Sequence, residues 1–367
     1  MRAAVLEQSG HKIVIHDDVD IMAPRVGEVR VNVKYCGVCH SDLSLYNGTF
    51  PIGGPIILGH EAAGIVESVG AGVTNLKPGD HVVLTPAPPC GQCYYCVRNE
   101  HSLCVNASAI MTNTFPDGET GLSRHGNRIL RGVGVGAFAD QVVTQSTGAI
   151  KIPEHIPLDV ACVIGCALQT GVGAVLNTAK VKQGDTVLVL GAGGIGMATI
   201  QGARVAGATT IIVSDPVAER REWAKKFGAT HVFDPNTCNI IEQAYVLTGG
   251  IGVDYVFETA GLASLIETGV LASRSGGTTV CVGAPPIDQA VTLNPAVLFA
   301  ATERKLCGCL LGSCNSLYEI PRLIRLWEAG LLDLESMITN RRPLSEINEA
   351  FDDLSKHRGI RTVVEIG

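Results

Sequence analysis

Residues 186–196 read TVLVLGAGGIG, and this stretch decides the fold. Five apolar or β-branched residues form a buried strand, and Gly191, Gly193 and Gly196 complete G-x-G-x-x-G directly after it. A helix pattern with small residues on one face, GIGMATIQGARVAGA, begins at Gly194. Gly191 allows the tight turn, Gly193 lets backbone approach a pyrophosphate, and Gly196 lets the helix pack on the sheet. The amides opening the helix, at Gly194 and Ile195, face the phosphates with the positive end of the helix dipole. Asp215 follows about 20 residues on, where a carboxylate accepts from the adenosine ribose and repels a 2′-phosphate. The cofactor expected is NAD rather than NADP. Asp215 would equally serve as a cap for the helix starting after Pro216. Arg220, one turn on, either closes over the ribose or is an exposed helical arginine.

Strand and helix patterns alternate outward from this point. TIIVSD, PVAERREWAKKFGA, VDYVFE and TTVCVG predict a doubly wound parallel sheet. The first 150 residues have a different texture, with short β-like runs such as EVRVNVKYCGV, EAAGIVESVG and GDHVVLTP between Gly and Pro. Past residue 310 come an amphipathic helix, IPRLIRLWEAGLL, a helical stretch, SEINEAFDDLSK, and a strand-like RTVVEIG able to return to the first domain. The fold class is therefore α/β plus β. A β-rich domain (1–167 and 311–367) is interrupted by a dinucleotide-binding domain (168–310).

The chain has 367 residues, enough for two cores, with 46% hydrophobic and 17% charged residues, which excludes a disordered chain. A net charge of −7 with no basic tract argues against nucleic acid or a membrane surface as partner. No apolar run is long enough to span a bilayer, and the acidic N-terminal stretch lacks a signal-peptide pattern, so a cytoplasmic protein is expected. In that compartment its 13 cysteines read as metal ligands or buried thiols rather than disulfides. Cys162, Cys238, Cys281, Cys307, Cys309 and Cys314 are taken as small core hydrophobes.

Cys90, Cys93, Cys96 and Cys104, in CGQCYYCVRNEHSLC, suit one tetrahedral ion such as zinc. Four thiolates leave no open coordination position, so this site is structural. A second set, Cys39 in CGVCHSD, His60 in GHEAAG and Cys166, would leave a zinc ion one open position, the pattern of a catalytic site. Spacing alone is a poor guide to residues so far apart.

These motifs, in this order and at these distances, resemble the zinc-dependent alcohol dehydrogenases of the medium-chain dehydrogenase/reductase superfamily. The resemblance runs the length of the chain, to VGAPP near Pro285 and to INEAFDDL and IRT near the end. It implies a GroES-like β domain interrupted by a Rossmann domain, with the active site in the cleft between them. Further implications are two zinc ions per chain and NAD. Cys39, His60 and Cys166 resemble the catalytic zinc ligands. Glu61 resembles an acid that can approach the metal, Asp42 the carboxylate holding the imidazole, and Ser41 the hydroxyl that takes the alcohol proton. His40 and Arg361 fall at phosphate-contacting positions. The bland readings are a loop residue for His40, a surface charge for Arg361 and a turn residue for Asp42. Cys36 forms C-x-x-C with Cys39, which invites a redox reading, but an inert thiol in the strand VNVKYC fits better.

Two features depart from the pattern. Ser44 stands where many relatives have the histidine that ends the proton relay, and Pro86 stands where many have a bulky aromatic. Phe50, Pro86, Ala284 and Leu310 would line an apolar pocket, wider than one built for ethanol, or simply pack. Expected substrates are medium-to-large apolar primary alcohols, aromatic or terpenoid, and their aldehydes. The long segment 104–138 accompanies dimers in this family, so a homodimer is expected. One alternative is a formaldehyde dehydrogenase acting on a thiol adduct, disfavoured by VNASA around Ser108 where that branch has an arginine, though Arg124, Arg128 and Arg131 lie nearby. A rival of another class is a non-catalytic, zinc-stabilised NAD-binding protein.

Overall fold

A computed structural model describes all residues, Met1–Gly367. The strands that matter here are, along the chain, β1 (Glu28–Gly37), β2 (Glu61–Val69), β3 (His81–Leu84), β4 (Gln141–Gln145), β5 (Ala149–Lys151), β6 (Thr186–Leu190), β7 (Thr210–Ser214), β8 (His231–Phe233), β9 (Val253–Glu258), β10 (Ser273–Cys281), β11 (Lys305–Gly308), β12 (Ile338–Pro343) and β13 (Arg361–Glu365). The helices are α1 (His40–Tyr46), α2 (Ala167–Gly173), α3 (Gly194–Ala206), α4 (Ala218–Phe227), α5 (Ser316–Glu328) and α6 (Ile347–Ser355).

One compact unit comprises residues 1–167, 315–327 and 334–367. Its main sheet runs β5-β3-β2-β1-β13-β12, with β4 also paired to β1. All of these pairs are antiparallel except β12 with β13. The C-terminal strand thus lies beside β1, which shares one edge between β4 at its start and β13 at its end. Alternation in VRVNV sends Val29, Val31 and Val33 into a core with Phe138 and Phe351.

The other unit comprises residues 168–314 and 328–333, so residues 311–314 and 328–333 fall here rather than with the β-rich unit. Its parallel sheet has the order β8-β7-β6-β9-β10-β11. Sequence order reverses between β6 and β9, which makes the carboxyl ends of those strands the ligand-binding switch point. The core strands carry continuous apolar runs because helices cover both faces. The helical stretch after Cys166 is α-helical only to Gly173; residues Ala174–Ala179 wind more widely, as π-helix. The close approach of Gly171 to Ile195 and Thr199 backbone, and of Gly173 to Gly312, shows why small residues fill this stretch. Of the cysteines read as core hydrophobes, Cys162 and Cys314 are buried, whereas Cys238, Cys281, Cys307 and Cys309 are partly exposed. Cys281 ends β10, Cys307 lies in the edge strand β11 and Cys309 follows that strand.

Candidate metal centre and nucleotide-binding turn

Cys39 caps the N-terminus of α1, held there because Asp42, three residues on, turns back to accept its backbone N–H at 3.2 Å. His60 sits at the entry to β2, after the left-handed Gly59, whose N–H donates to Asp42 at 2.8 Å. Cys166 lies between a 3₁₀ turn (Cys162–Gly165) and α2. Gly165 packs so closely on the Leu84 backbone that no side chain fits. These three junctions bring one ligand atom each from Cys39, His60, Glu61 and Cys166 within 4.8 Å of one another, all buried.

The chemistry of the cluster fits a divalent cation. His60 Nδ1 lies 3.2 Å from Asp42, while its Nε2 is buried without a hydrogen-bond partner. Both Glu61 carboxylate oxygens are also buried without one. Polar atoms in that condition are costly unless something else satisfies them. The Cys166 thiol donates towards Cys39, holding Cys39 well below the usual thiol range, and that bond with burial pushes Cys166 well above it. Burial opposes charge on His60, but Asp42 and the Cys39 thiolate outweigh it and raise the imidazole. Burial pushes Glu61 up to about 8 against the pull of Arg361. A soft, borderline cation such as zinc matches two thiolates and an imidazole, with Asp42 fixing the ring.

Arg361, which the resemblance places at the cofactor phosphates, lies against this cluster. It is 5% exposed, and its Nη1 donates to Val38 O at 2.7 Å and lies 3.4 Å from Glu61; burial works against its charge, but Glu61 and the Cys39 thiolate outweigh it and raise the guanidinium. It is not a surface charge. Nothing in its spacing distinguishes a buried arginine from an exposed one; the signal was its place opening a buried terminal strand. Ser41 is half-buried, with Oγ 3.9 Å from Cys39 Sγ, and His40 is exposed. Cys36 is buried and its thiol is pushed up by burial, the state of an inert thiol.

In the lobe, ligand atoms of Cys90, Cys93, Cys96 and Cys104 also lie within 4.8 Å of one another. Short 3₁₀ turns (Cys96–Arg98 and His101–Leu103) and Asn99 in the left-handed region aim them together. Backbone N–H groups of Cys96 and Val105 lower the Cys93 thiol to about 6, while burial pushes Cys104 up to about 12. Four sulfurs with backbone donors fit a closed zinc site.

In the nucleotide unit, Gly191 is left-handed and Gly196 packs on the Gly191 carbonyl with no room for a side chain. A side chain at Gly193 would meet nothing within 4 Å, so the space beside the first turn of α3 is open for a pyrophosphate. Asp215 is 3% exposed and accepts from Ala192 N at 2.7 Å and Val217 N at 2.8 Å. It therefore ties the glycine turn to the next helix, and its unused lone pairs can still accept from a ribose. Arg220 is buried rather than exposed on the helix surface, and its neighbour Arg221 donates to Asp215 O at 2.7 Å and pairs with Asp234 at 3.1 Å. Sequence reading missed Glu258 and Thr259 at the end of β9. Glu258 accepts from Ala260 and Gly261, each at 2.8 Å, and Thr259 donates to Gly191 O at 2.7 Å, bracing the turn from the neighbouring strand. The signal was available, as an acid ending a mostly apolar strand at a switch point.

Residues 25–154 match the alcohol dehydrogenase GroES-like domain, and residues 194–329 match the zinc-binding dehydrogenase family. The chain is 37% identical to the NDMA-dependent alcohol dehydrogenase of Amycolatopsis methanolica, covering 99% of this chain and 98% of that one. The chain belongs to the zinc-dependent alcohol dehydrogenases of the medium-chain superfamily. It is also 34% identical to the S-(hydroxymethyl)glutathione dehydrogenase of Komagataella pastoris, covering 99% and 97%. Among solved structures, benzyl alcohol dehydrogenase from Acinetobacter calcoaceticus superposes with a TM-score of 0.93 at 29% identity, covering 100% and 99%. The protein is thus an NAD-dependent alcohol oxidoreductase with zinc as its metal. No single helix is long and apolar enough to cross a membrane.

Proposed function

We propose that this alcohol dehydrogenase oxidises medium-to-large apolar primary alcohols, with aromatic alcohols first, as a cytoplasmic homodimer. The observation that carries the substrate reading is Pro86, a compact buried residue just before the zinc lobe where relatives hold a large ring. Phe50, half-buried against the β-domain core, supplies apolar surface. Ala284 and Leu310 are exposed within the nucleotide unit rather than consumed by its packing. The likeness to a benzyl alcohol dehydrogenase agrees with this choice.

When bound, zinc lowers the pKa of an alcohol and NAD accepts its hydride. Cys39, His60 and Cys166 would hold the metal, with Asp42 fixing the imidazole through Nδ1. Ser41 Oγ, beside Cys39, accepts the alcohol proton. Ser44, in place of a histidine, is a weak terminal base, so the proton leaves through water and the pH–rate profile is flatter than in histidine-bearing relatives. Gly191, Gly193, Gly196 and the α3 amides hold the pyrophosphate.

A thiol-adduct formaldehyde substrate is the second reading, because one relative carries that activity in its name. It needs a cation near the lobe to hold a carboxylate, yet the nearby arginines are engaged. Arg124 pairs with Asp18 at 2.7 Å, Arg128 donates to Gly118 O at 2.6 Å, and Arg131 is buried 3.7 Å over the Phe115 ring. For the dimer, support comes from edge strand β11 and the exposed Ile287, Val297 and Leu298 preceding it, since an open edge beside apolar surface calls for cover. The thirteen free cysteines agree with a reducing compartment.

An alcohol panel with NAD, read by NADH absorbance, tests the substrate. Benzyl and cinnamyl alcohol should exceed ethanol in kcat/KM by roughly 100-fold, about two methylene-sized pocket contributions. A preference for ethanol, or for the glutathione–formaldehyde adduct, overturns the reading.

A further inference from the structure

Gly37 ends β1 and lies directly opposite Glu61 of β2, with Val363 of β13 on its other side. Residues directly opposite share one face of a sheet, and Arg361, two residues before Val363, shares that face too. The Glu61 side chain lies over Gly37, and its Oε2 is 3.4 Å from Arg361 Nη1. A Cβ at position 37 would land on that same Oε2, 3.2 Å from Glu61 Cβ and 3.4 Å from Cδ. Gly37 does not have a left-handed φ, so the backbone does not demand glycine there. What a side chain there would displace is the carboxylate above it.

Glu61 stands between an arginine and the ligand cluster. On one side is buried Arg361; on the other are Cys39, His60 and Cys166, whose ligand atoms lie within 4.8 Å of a Glu61 oxygen. Neither carboxylate oxygen has a hydrogen bond to fix it. We propose that Gly37 is a positioning residue: the absence of a side chain there lets Glu61 rest against Arg361, which would keep the carboxylate from competing with alcohol for a metal held by Cys39, His60 and Cys166. Filling the space at position 37 displaces the Glu61 carboxyl from Arg361, towards the ligand cluster on its other side, where it would meet a bound cation. The inference rests on the metal reading of the site and concerns what holds the carboxylate away from it.

The test uses full-length enzyme with Co(II) at the catalytic site, imidazole binding followed by the visible d–d bands, and metal release to a chelator. Gly37→Ala should weaken imidazole binding and slow metal release, each by about tenfold, the scale on which partners of metal ligands act. Arg361→Gln, which removes the other anchor without adding volume, should shift both readouts the same way. In a Glu61→Ala background, Gly37→Ala should change imidazole affinity by less than about twofold, because no carboxylate remains to move. Equal losses with and without Glu61, or unchanged imidazole binding in Gly37→Ala, overturn the proposal. If Gly37→Ala does not fold, unchanged imidazole binding in Arg361→Gln overturns it. Failure of the metal reading is separate: the wild-type enzyme would then take up no cobalt beyond the four-cysteine lobe.

Discussion

Replacing Asp42 with asparagine should loosen the catalytic metal while leaving the lobe metal in place. The buried Asp42 carboxylate serves three donors: Gly59 N–H at 2.8 Å and His60 Nδ1 at 3.2 Å on one oxygen, and Cys39 N–H at 3.2 Å on the other. Asparagine offers one acceptor. With its carbonyl on the Gly59 and His60 side, its NH₂ confronts the Cys39 N–H, leaving a buried donor unmet at a cost of about 1–3 kcal/mol. Loss of the negative charge also makes His60 a weaker ligand. Outer partners of this kind are worth about 10–100-fold in metal affinity, which at 1.36 kcal/mol per tenfold is about 1.4–2.7 kcal/mol. Chelator competition on the purified enzyme should therefore show one zinc per chain released about 10–100-fold more readily than in wild type, and the other unchanged. A Tm loss of a few degrees should accompany it. If Asp42→Asn keeps both metals as firmly as wild type, the claim that this carboxylate orients the ligand and its loop is refuted. Equal loss of both metals would mean general unfolding and refute it as well.

Other outcomes follow from the same contacts. Cys104→Ser should lose one zinc per chain and stability by about 2–5 kcal/mol in chemical denaturation, while KM for alcohol in the folded fraction stays within about twofold. Asp215→Asn should raise KM for NAD by about tenfold and narrow the preference over NADP in steady-state kinetics, since the charge that repels a 2′-phosphate is gone. Burial works against the Asp80 charge, but Lys151 Nζ at 2.6 Å and Lys77 N–H at 3.0 Å outweigh it and hold the carboxyl below the usual range. A lowered carboxyl contributes stability that is present above its unfolded pKa near 4 and lost as pH falls through its folded value. Acid unfolding of Asp80→Asn should accordingly be less steep below about pH 4 than wild type. Ser44→His should restore a sharper pH–rate profile around the imidazole pKa of about 6.5; an unchanged profile removes Ser44 from the proton path.

Much of this protein was determined by local pattern. TVLVLGAGGIG needs a strand, a tight turn and a helix N-terminus, and it forms them as Thr186–Leu190 and Gly194–Ala206. The four lobe cysteines are close enough in sequence that short turns converge them without help from the rest of the fold. Cys39 and Asp42 are likewise a local pair, a helix start with its own capping acid. What needed the tertiary structure is everything carried by pairing between distant strands. Glu61, Gly37 and Arg361 are separated by up to 324 residues in number, yet the register of β2, β1 and β13 sets them side by side. Arg361 and Arg220 could each be read from the sequence as surface charges, and both are buried, because a residue's type does not reveal whether it will be buried or what will face it. Hydrophobic periodicity encodes which face of a strand turns inward, but not which strand becomes its neighbour, and at this metal centre the neighbour decides what each charge does.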